Sequence, residues 1–429
     1  MPFETSKTTT QRIAVIGGGI SGMGAAHLLA DHHRVVLYEA APRLGGHART
    51  VVAGKRGDQP VDTGFIVFNR VNYPHMVEMF EKLDVPVADS SMTFGASING
   101  GALEYGLRSV ASVFCQPRNA ANPAFLRMLW DINRFNTHAV RVADDPAMTI
   151  AQFLDKLGTG AWFRDYYILP LSGAIWSTPT RGILDFPAQA MIKFFQNHAL
   201  LSATGQHKWY TVQGGSVEYV RRLSDSLTRR GVDIRLSAPV QQITRDDTGV
   251  AVKAWGGTVE RFDQVILATH SDDSLAMLGD PSADEQAALG AVRYQPNHVV
   301  LHSDTSMMPK RQGAWASWVY TQEAGQRSDK IDLTYWMNSL QPIPKDDPLF
   351  VTLNSNRKID PAKIYDEVEF SHPVYDLAAL AGQSAVRAFN GTRNTWFCGA
   401  WMRNGFHEDG LASAVDVVQG IARRAVVAA

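Results

Sequence analysis

The chain has 429 residues, with 41 basic against 42 acidic side chains, and it carries 10 Trp, 12 Tyr and 19 Phe. That length calls for two or three folding units, and the cancelling charge offers no field for a polyanion, which sets nucleic acid aside. Cys115 and Cys398 lie far apart, which excludes a disulfide framework and a dithiol relay and fits a reducing cytoplasm. The leading MPFETSKTTTQR lacks the apolar segment of a secretory signal, and no apolar run reaches about 18 residues. A cytoplasmic protein is expected, at most peripheral at the inner face of the membrane.

The first element is the apolar run Ile13-Ala14-Val15-Ile16, as expected of a parallel strand buried on both faces. Gly17-Gly18-Gly19-Ile20-Ser21-Gly22 follows as G-x-G-x-x-G. Gly17 allows the tight turn, Gly19 lets the backbone approach a pyrophosphate, and Gly22 lets helix and strand pack closely. Ser21 to Leu29 reads as a helix whose N-terminus faces the phosphates. A second strand, Val35 to Tyr38, ends in Glu39, twenty residues after Gly19, where an acidic side chain accepts hydrogen bonds from a ribose. Strand, turn, helix, strand and acid in this order predict a site for an ADP moiety.

Next comes AAPRLGGHART, with Arg43, Gly45, Gly46, His47 and Arg49. It resembles the E-x-x-x-R-x-G-G-R-x-x-T element of the flavin amine oxidase and phytoene desaturase superfamily, departing from it at His47. The resemblance implies that the glycine doublet passes close to FAD and that Arg43 and His47 approach its phosphates. Asp62-Thr63-Gly64-Phe65 is similar to the family's D-x-G segment near the flavin, and the backbone near Val240 is expected at the adenine. Phe262 to Thr269 resembles the D-x-V-I-x-A-T strand that returns to the nucleotide unit. Near the C-terminus, Trp396-Phe397-Cys398-Gly399-Ala400 reads as a buried strand ending in glycine. Gly405-Phe406-His407-Glu408-Asp409-Gly410-Leu411 then opens a last helix, and the family sets this helix N-terminus against the flavin, which assigns Gly399, Asp409, Gly410 and Leu411 to the cofactor.

The fold class implied is α/β: a Rossmann-type FAD-binding domain interleaved with an α+β substrate domain, as in two-domain flavin amine oxidases. Residues 1–70, 205–290 and 385–429 would form the first, and 71–204 with 291–384 the second. No second G-x-G-x-x-G follows a strand, so FAD is expected without a nicotinamide partner. It is expected to be held non-covalently, since Cys398 sits in a strand, and no metal is expected.

For chemistry, alignment with the family's lysine strand places His298 near the flavin as the candidate catalytic residue, able to hold a water or move a proton. Trp315, Trp318, Tyr335, Trp401 and Phe406 are candidates for the substrate pocket, against a core-packing alternative for each. In the stretch Phe125 to Phe135, apolar side chains share one helical face. Arg127, Arg134 and Arg141 lie on another, a pattern that fits either a buried face or a membrane surface. The strings GAIWS, NHALL, WYTVQGGS and GFHEDGLASA resemble a bacterial subfamily of predicted NAD/FAD-binding, amine-oxidase-like proteins. Its members are often encoded beside methyltransferases similar to cyclopropane-fatty-acid synthases. The resemblance therefore implies desaturation of an unsaturated or methyl-branched acyl chain of a membrane lipid. In that reading FAD takes the hydride, His298 or water takes the proton, and oxygen or a quinone accepts the electrons. An amine oxidase, a flavin-dependent double-bond isomerase of fatty acids, and an FAD-binding protein without turnover remain as alternatives.

Overall fold

The computed structural model describes residues 10–202, 205–325 and 331–427. Five parallel strands run side by side in the order Asp233–Arg235, Arg34–Tyr38, Arg12–Ile16, Gln264–Leu267 and Thr395–Phe397. Side chains alternate across a strand, and both faces of this sheet are covered. Ile13 and Val15 pack against helices Ile20–Leu29, Val217–Arg229 and His407–Val427. Ala14 and Ile16 pack on the other side with Ile243 and Val252 of a three-stranded antiparallel sheet and with Leu289 and Ala379 of two further helices. This two-sided burial is why the first strand is apolar without interruption.

A second sheet of seven strands is built in the order Ile364–Val374, Arg293–His302, Phe350–Leu353, Leu333–Trp336, Trp318–Thr321, Phe94–Ile98 and Leu103–Gly106. Its pairings are antiparallel except that between Trp318–Thr321 and Phe94–Ile98. Helices Pro123–Val142, Ile150–Leu157, Leu169–Trp176 and Ala188–Asn197 share one core with this sheet. The expected pairing of a Rossmann-type unit with an α+β unit is present.

The expected boundaries between the units shift. Helix Pro74–Lys82 buries Met76, Met79 and Phe80 in the nucleotide-side core, together with Ile13 and Tyr219. Its own N-cap, Tyr73, supplies no side-chain cap; instead Glu408 accepts from the N–H groups of His75 and Met76, both at 3.0 Å. Conversely, Ala53, Val61 and Ile66 pack into the core of the larger sheet. Apolar periodicity identifies an element but not the core it joins, because a chain can recross between units at little cost in loop closure.

Helix Pro123–Val142 turns Phe125, Met128 and Phe135 inward. On the outer side Trp130, 51 % exposed, sits between the guanidinium groups of Arg127 and Arg134 at 4.6 and 5.5 Å from its ring. The buried face of the sequence reading is therefore present, and an Arg–Trp–Arg stripe, with Arg127 and Trp130 exposed and Arg134 half-buried, lies opposite it.

Candidate functional site

At the carboxyl end of Arg12–Ile16 the chain turns through Gly17, whose φ of +107° favours glycine. The Gly17 N–H donates to the Tyr38 carbonyl at 2.8 Å. Gly22 and Gly19 differ in what an added methyl would meet. At Gly22 a Cβ would stand 1.8 Å from the Gly17 carbonyl oxygen, whereas at Gly19 nothing lies within 4 Å. Gly22 is needed by the protein's own packing; Gly19 bares its backbone to open space. Helix Ile20–Leu29 begins there with no side-chain cap, so its first N–H groups face the same space and suit an anion. Ser21 is buried where this helix meets the last one, beside Gly410. The Glu39 carboxylate accepts from Gly18 N–H at 2.6 Å and Ala41 N–H at 2.7 Å, holding the turn from the end of the second strand. The Ala238 N–H donates to the Glu39 carbonyl at 2.9 Å, which brings Val240, two residues on, toward the same acidic end.

The loop after Glu39 closes over this turn. Gly45 N–H donates to the Gly18 carbonyl at 2.8 Å, and a Cβ on Gly46 would come within 3.1 Å of Gly19 Cα. Arg43 braces the loop by donating to the carbonyls of Leu44, Gly46 and Ala48. Gly64 fits tightly beneath it, since a Cβ there would stand 1.9 Å from the His47 carbonyl oxygen. Arg49 is used between the units, where it holds Asp366 through two hydrogen bonds of 2.6 and 2.9 Å. The His47 ring stacks on Phe370 at 4.7 Å, with His372 at 5.4 Å and His270 at 5.9 Å. Burial lowers all three imidazoles, His47 to about 3 and His372 to about 4, so they are neutral at pH 7.

Strand Thr395–Phe397 leads to Cys398, whose thiol is pushed up to about 12 by burial and is inert. Gly399 N–H donates to Ser413 Oγ at 2.9 Å. Trp401, expected in the substrate pocket, is instead 2 % exposed in the nucleotide-side core and donates to the Thr269 carbonyl. Asp409 accepts from Phe406 N–H at 2.9 Å and is raised to about 6 by burial. Gly410 and Leu411, expected at the cofactor, serve the crossing with the first helix: Gly410 lies against Ile20 and Ser21, and Leu411 fills the space over Gly24. His407, at the helix start, stacks on Phe65 at 4.1 Å and shares a 2.5 Å hydrogen bond with the Tyr219 hydroxyl.

On the substrate side, strands Arg293–His302 and Ile364–Val374 pair Gln295 with His372, Asn297 with Phe370, and Leu301 with Asp366. Cross-strand partners share a face, and this one meets His47 and Arg49. His298 pairs with Glu369 on the opposite face, where it is 49 % exposed and bonded to Glu367 at 3.0 Å. The catalytic expectation for His298 is therefore corrected: a one-residue slip in register reverses every side chain, and Asn297 takes the inward position. His298→Ala should leave flavin content and turnover unchanged and shift stability by no more than about 0.5 kcal/mol, checked by thermal melting and steady-state kinetics.

Of the other aromatic candidates, Trp318 and Tyr335 meet edge-on at 5.4 Å against the substrate-side core. Phe406 stacks on Phe194 at 4.8 Å, with Trp176 at 6.5 Å, and His198 stacks on Phe194 in turn. Trp315 is corrected: it packs with Trp336 and Phe350 in a separate small cluster. Trp176 and His198 lie within the GAIWS and NHALL strings, whereas His372 and Asn297 carried no signal of their own.

Open space over Gly19, a helix start without a cap and a glycine doublet laid on the turn fit a dinucleotide, and Glu39 stands where a ribose would follow. The family model for flavin containing amine oxidoreductases matches residues 20–414. A stretch of 98 residues is 39% identical to the FAD-dependent oxidoreductase dbaF of Emericella nidulans, covering 22% of this chain and 20% of that one. Over 292 residues the chain is 24% identical to a probable zeta-carotene desaturase of Synechococcus elongatus, covering 61% of this chain and 58% of the relative. The chain thus spans less than two thirds of the length of either curated relative. A fatty acid isomerase from P. acnes shares the fold, with a TM-score of 0.68 at 15% identity over 95% of this chain and 98% of the other. The chain belongs to the flavin containing amine oxidoreductase family.

Proposed function

We propose that the chain binds FAD non-covalently and dehydrogenates an unsaturated or methyl-branched acyl chain of a membrane lipid. The observation that carries this reading is the aromatic cluster of Phe406, Phe194 and Trp176 beside the start of the last helix, an apolar part of the substrate-side core of a kind suited to a hydrocarbon. Bound flavin supplies a two-electron acceptor for a C–H bond. The protein's part is to hold the pyrophosphate at Gly19 and the first helix, to exclude water with the aromatic cluster, and to keep neutral imidazoles at the junction. Exposed Arg127 and Trp130, with half-buried Arg134 beside them, support contact with a lipid surface. No helix among the described residues is long and apolar enough to cross a membrane.

The test is the visible spectrum of the purified protein, followed anaerobically with phospholipid vesicles carrying unsaturated or methylated acyl chains. Bleaching of the flavin band with formation of a new double bond is expected. Bleaching by amines and not by lipid would replace this reading with amine oxidation. A persistent band with a shifted double bond in the lipid would replace it with isomerisation.

A further inference from the structure

We propose that His372 is a tautomer-locked hydrogen-bond donor to the bound flavin, set by a one-way chain of amides that begins at the backbone of His298. The inference rests on the flavin reading of the site. The chain has a fixed polarity at both ends. His298 N–H donates to Asn354 Oδ1 at 2.9 Å, which turns the Asn354 amide nitrogen toward Asn297 Oδ1 at 2.6 Å. That leaves Asn297 Nδ2 to donate, and it does so to the Gln295 carbonyl at 3.2 Å and to His372 Nδ1 at 2.8 Å. A backbone N–H only donates and a carbonyl only accepts, so neither amide can be reversed without losing a bond. His372 Nδ1 is therefore the acceptor, and the neutral ring carries its proton on Nε2.

The ring lies where the cofactor is expected. It contacts His47, the residue after the glycine doublet that covers Gly19. His270, which follows the parallel strand Gln264–Leu267, lies close enough to disfavour a positive charge on it. This is the crevice at the carboxyl ends of the strands, where open α/β sheets take their ligands. Among the described residues, Nε2 of His372 has no hydrogen-bond partner, so its proton remains for a carbonyl oxygen or bare ring nitrogen of the flavin. Gln295 and Asn297 face His372 from the neighbouring strand, and His47 and His270 from the nucleotide unit.

The test uses flavin-loaded protein and two readouts besides turnover: imidazole ring 15N shifts, which report the tautomer, and the flavin midpoint potential. Wild type should show the Nε2–H tautomer. In Asn297→Asp the new carboxylate accepts from Nδ1, so the tautomer should switch. The preference for reduced flavin should then fall roughly tenfold, about 30 mV for a two-electron couple. His372→Phe should lower the potential similarly, and His372→Gln, which keeps a donor, should restore much of it. An Nδ1–H tautomer in wild type, or an unchanged potential in both His372→Phe and Asn297→Asp, would overturn the proposal. If His372→Phe does not fold, Asn297→Asp decides. Protein that never carries flavin would instead defeat the functional reading on which the proposal rests.

Discussion

Gly19→Ala should purify folded but poor in flavin, and Gly22→Ala should fail to fold stably. The two substitutions add the same methyl three residues apart. At Gly19 the new Cβ meets nothing within 4 Å, and the residue has φ −77° and ψ −174°, a region open to alanine. The stability cost is limited to about 0.5 kcal/mol for a poorer N-cap. A pyrophosphate drawn close to this backbone would meet the methyl, and flavin affinity should fall by about 2 kcal/mol, roughly thirtyfold. At Gly22 helix propensity alone favours alanine by about 1 kcal/mol. The 1.8 Å approach to the Gly17 carbonyl overwhelms that gain, because helix and turn must separate, at a cost of about 3 kcal/mol or more. Thermal melting and the ratio of flavin to protein absorbance check both. Wild-type flavin affinity in Gly19→Ala would refute the placement of the pyrophosphate.

Acidification from pH 7 to pH 5.5 should lower the melting temperature. Burial holds His27, His198, His302 and His372 at about 4 and His47 and His407 at about 3, against 6.5 for a free imidazole. Below pH 6.5 the unfolded chain takes up protons that the folded chain refuses. Stability from these groups is therefore present above 6.5 and is lost as pH falls toward 4. At pH 5.5 each deeply buried imidazole costs about 1 kcal/mol, and His27, which solvent reaches more freely, costs less. Asp62, Asp332 and Asp409, raised by burial to about 6, act in the opposite sense. Their stabilising share is present at low pH and lost as pH rises through 6, so on acidification each returns about 0.8 kcal/mol. The imidazoles outnumber the carboxylates, and net loss is expected. A melting temperature that stays level or rises between pH 7 and 5.5, in the same buffer ions, would contradict this balance.

The nucleotide turn was legible because each of its requirements is local. A tight turn, a close approach and a strand buried on both faces each restrict residue type within a few positions of Gly17. The extended agreement of Gly45, Gly46 and Gly64 with the family pattern has the same origin, since their added Cβ atoms would strike backbone in the turn or in the loop over it. His298 shows the limit. Alignment with the family placed His298 on a strand near the flavin, but which side of that strand faces the junction depends on its pairing with Ile364–Val374, some 70 residues away in the chain.

By itself, the sequence determined the Rossmann-type turn, because it follows from short-range backbone constraints and an apolar run; the family and its two-unit architecture were legible through the resemblance of the motifs that follow that turn. The tertiary structure alone decided that Asn297 faces inward, that helix Pro74–Lys82 joins the nucleotide-side core under Glu408, and that Trp315 and Trp401 pack away from the aromatic cluster. It also brought His47, His270 and His372 together from three distant segments. The physical reason is that register and core membership are settled by partners far along the chain, whose side chains no local pattern can specify.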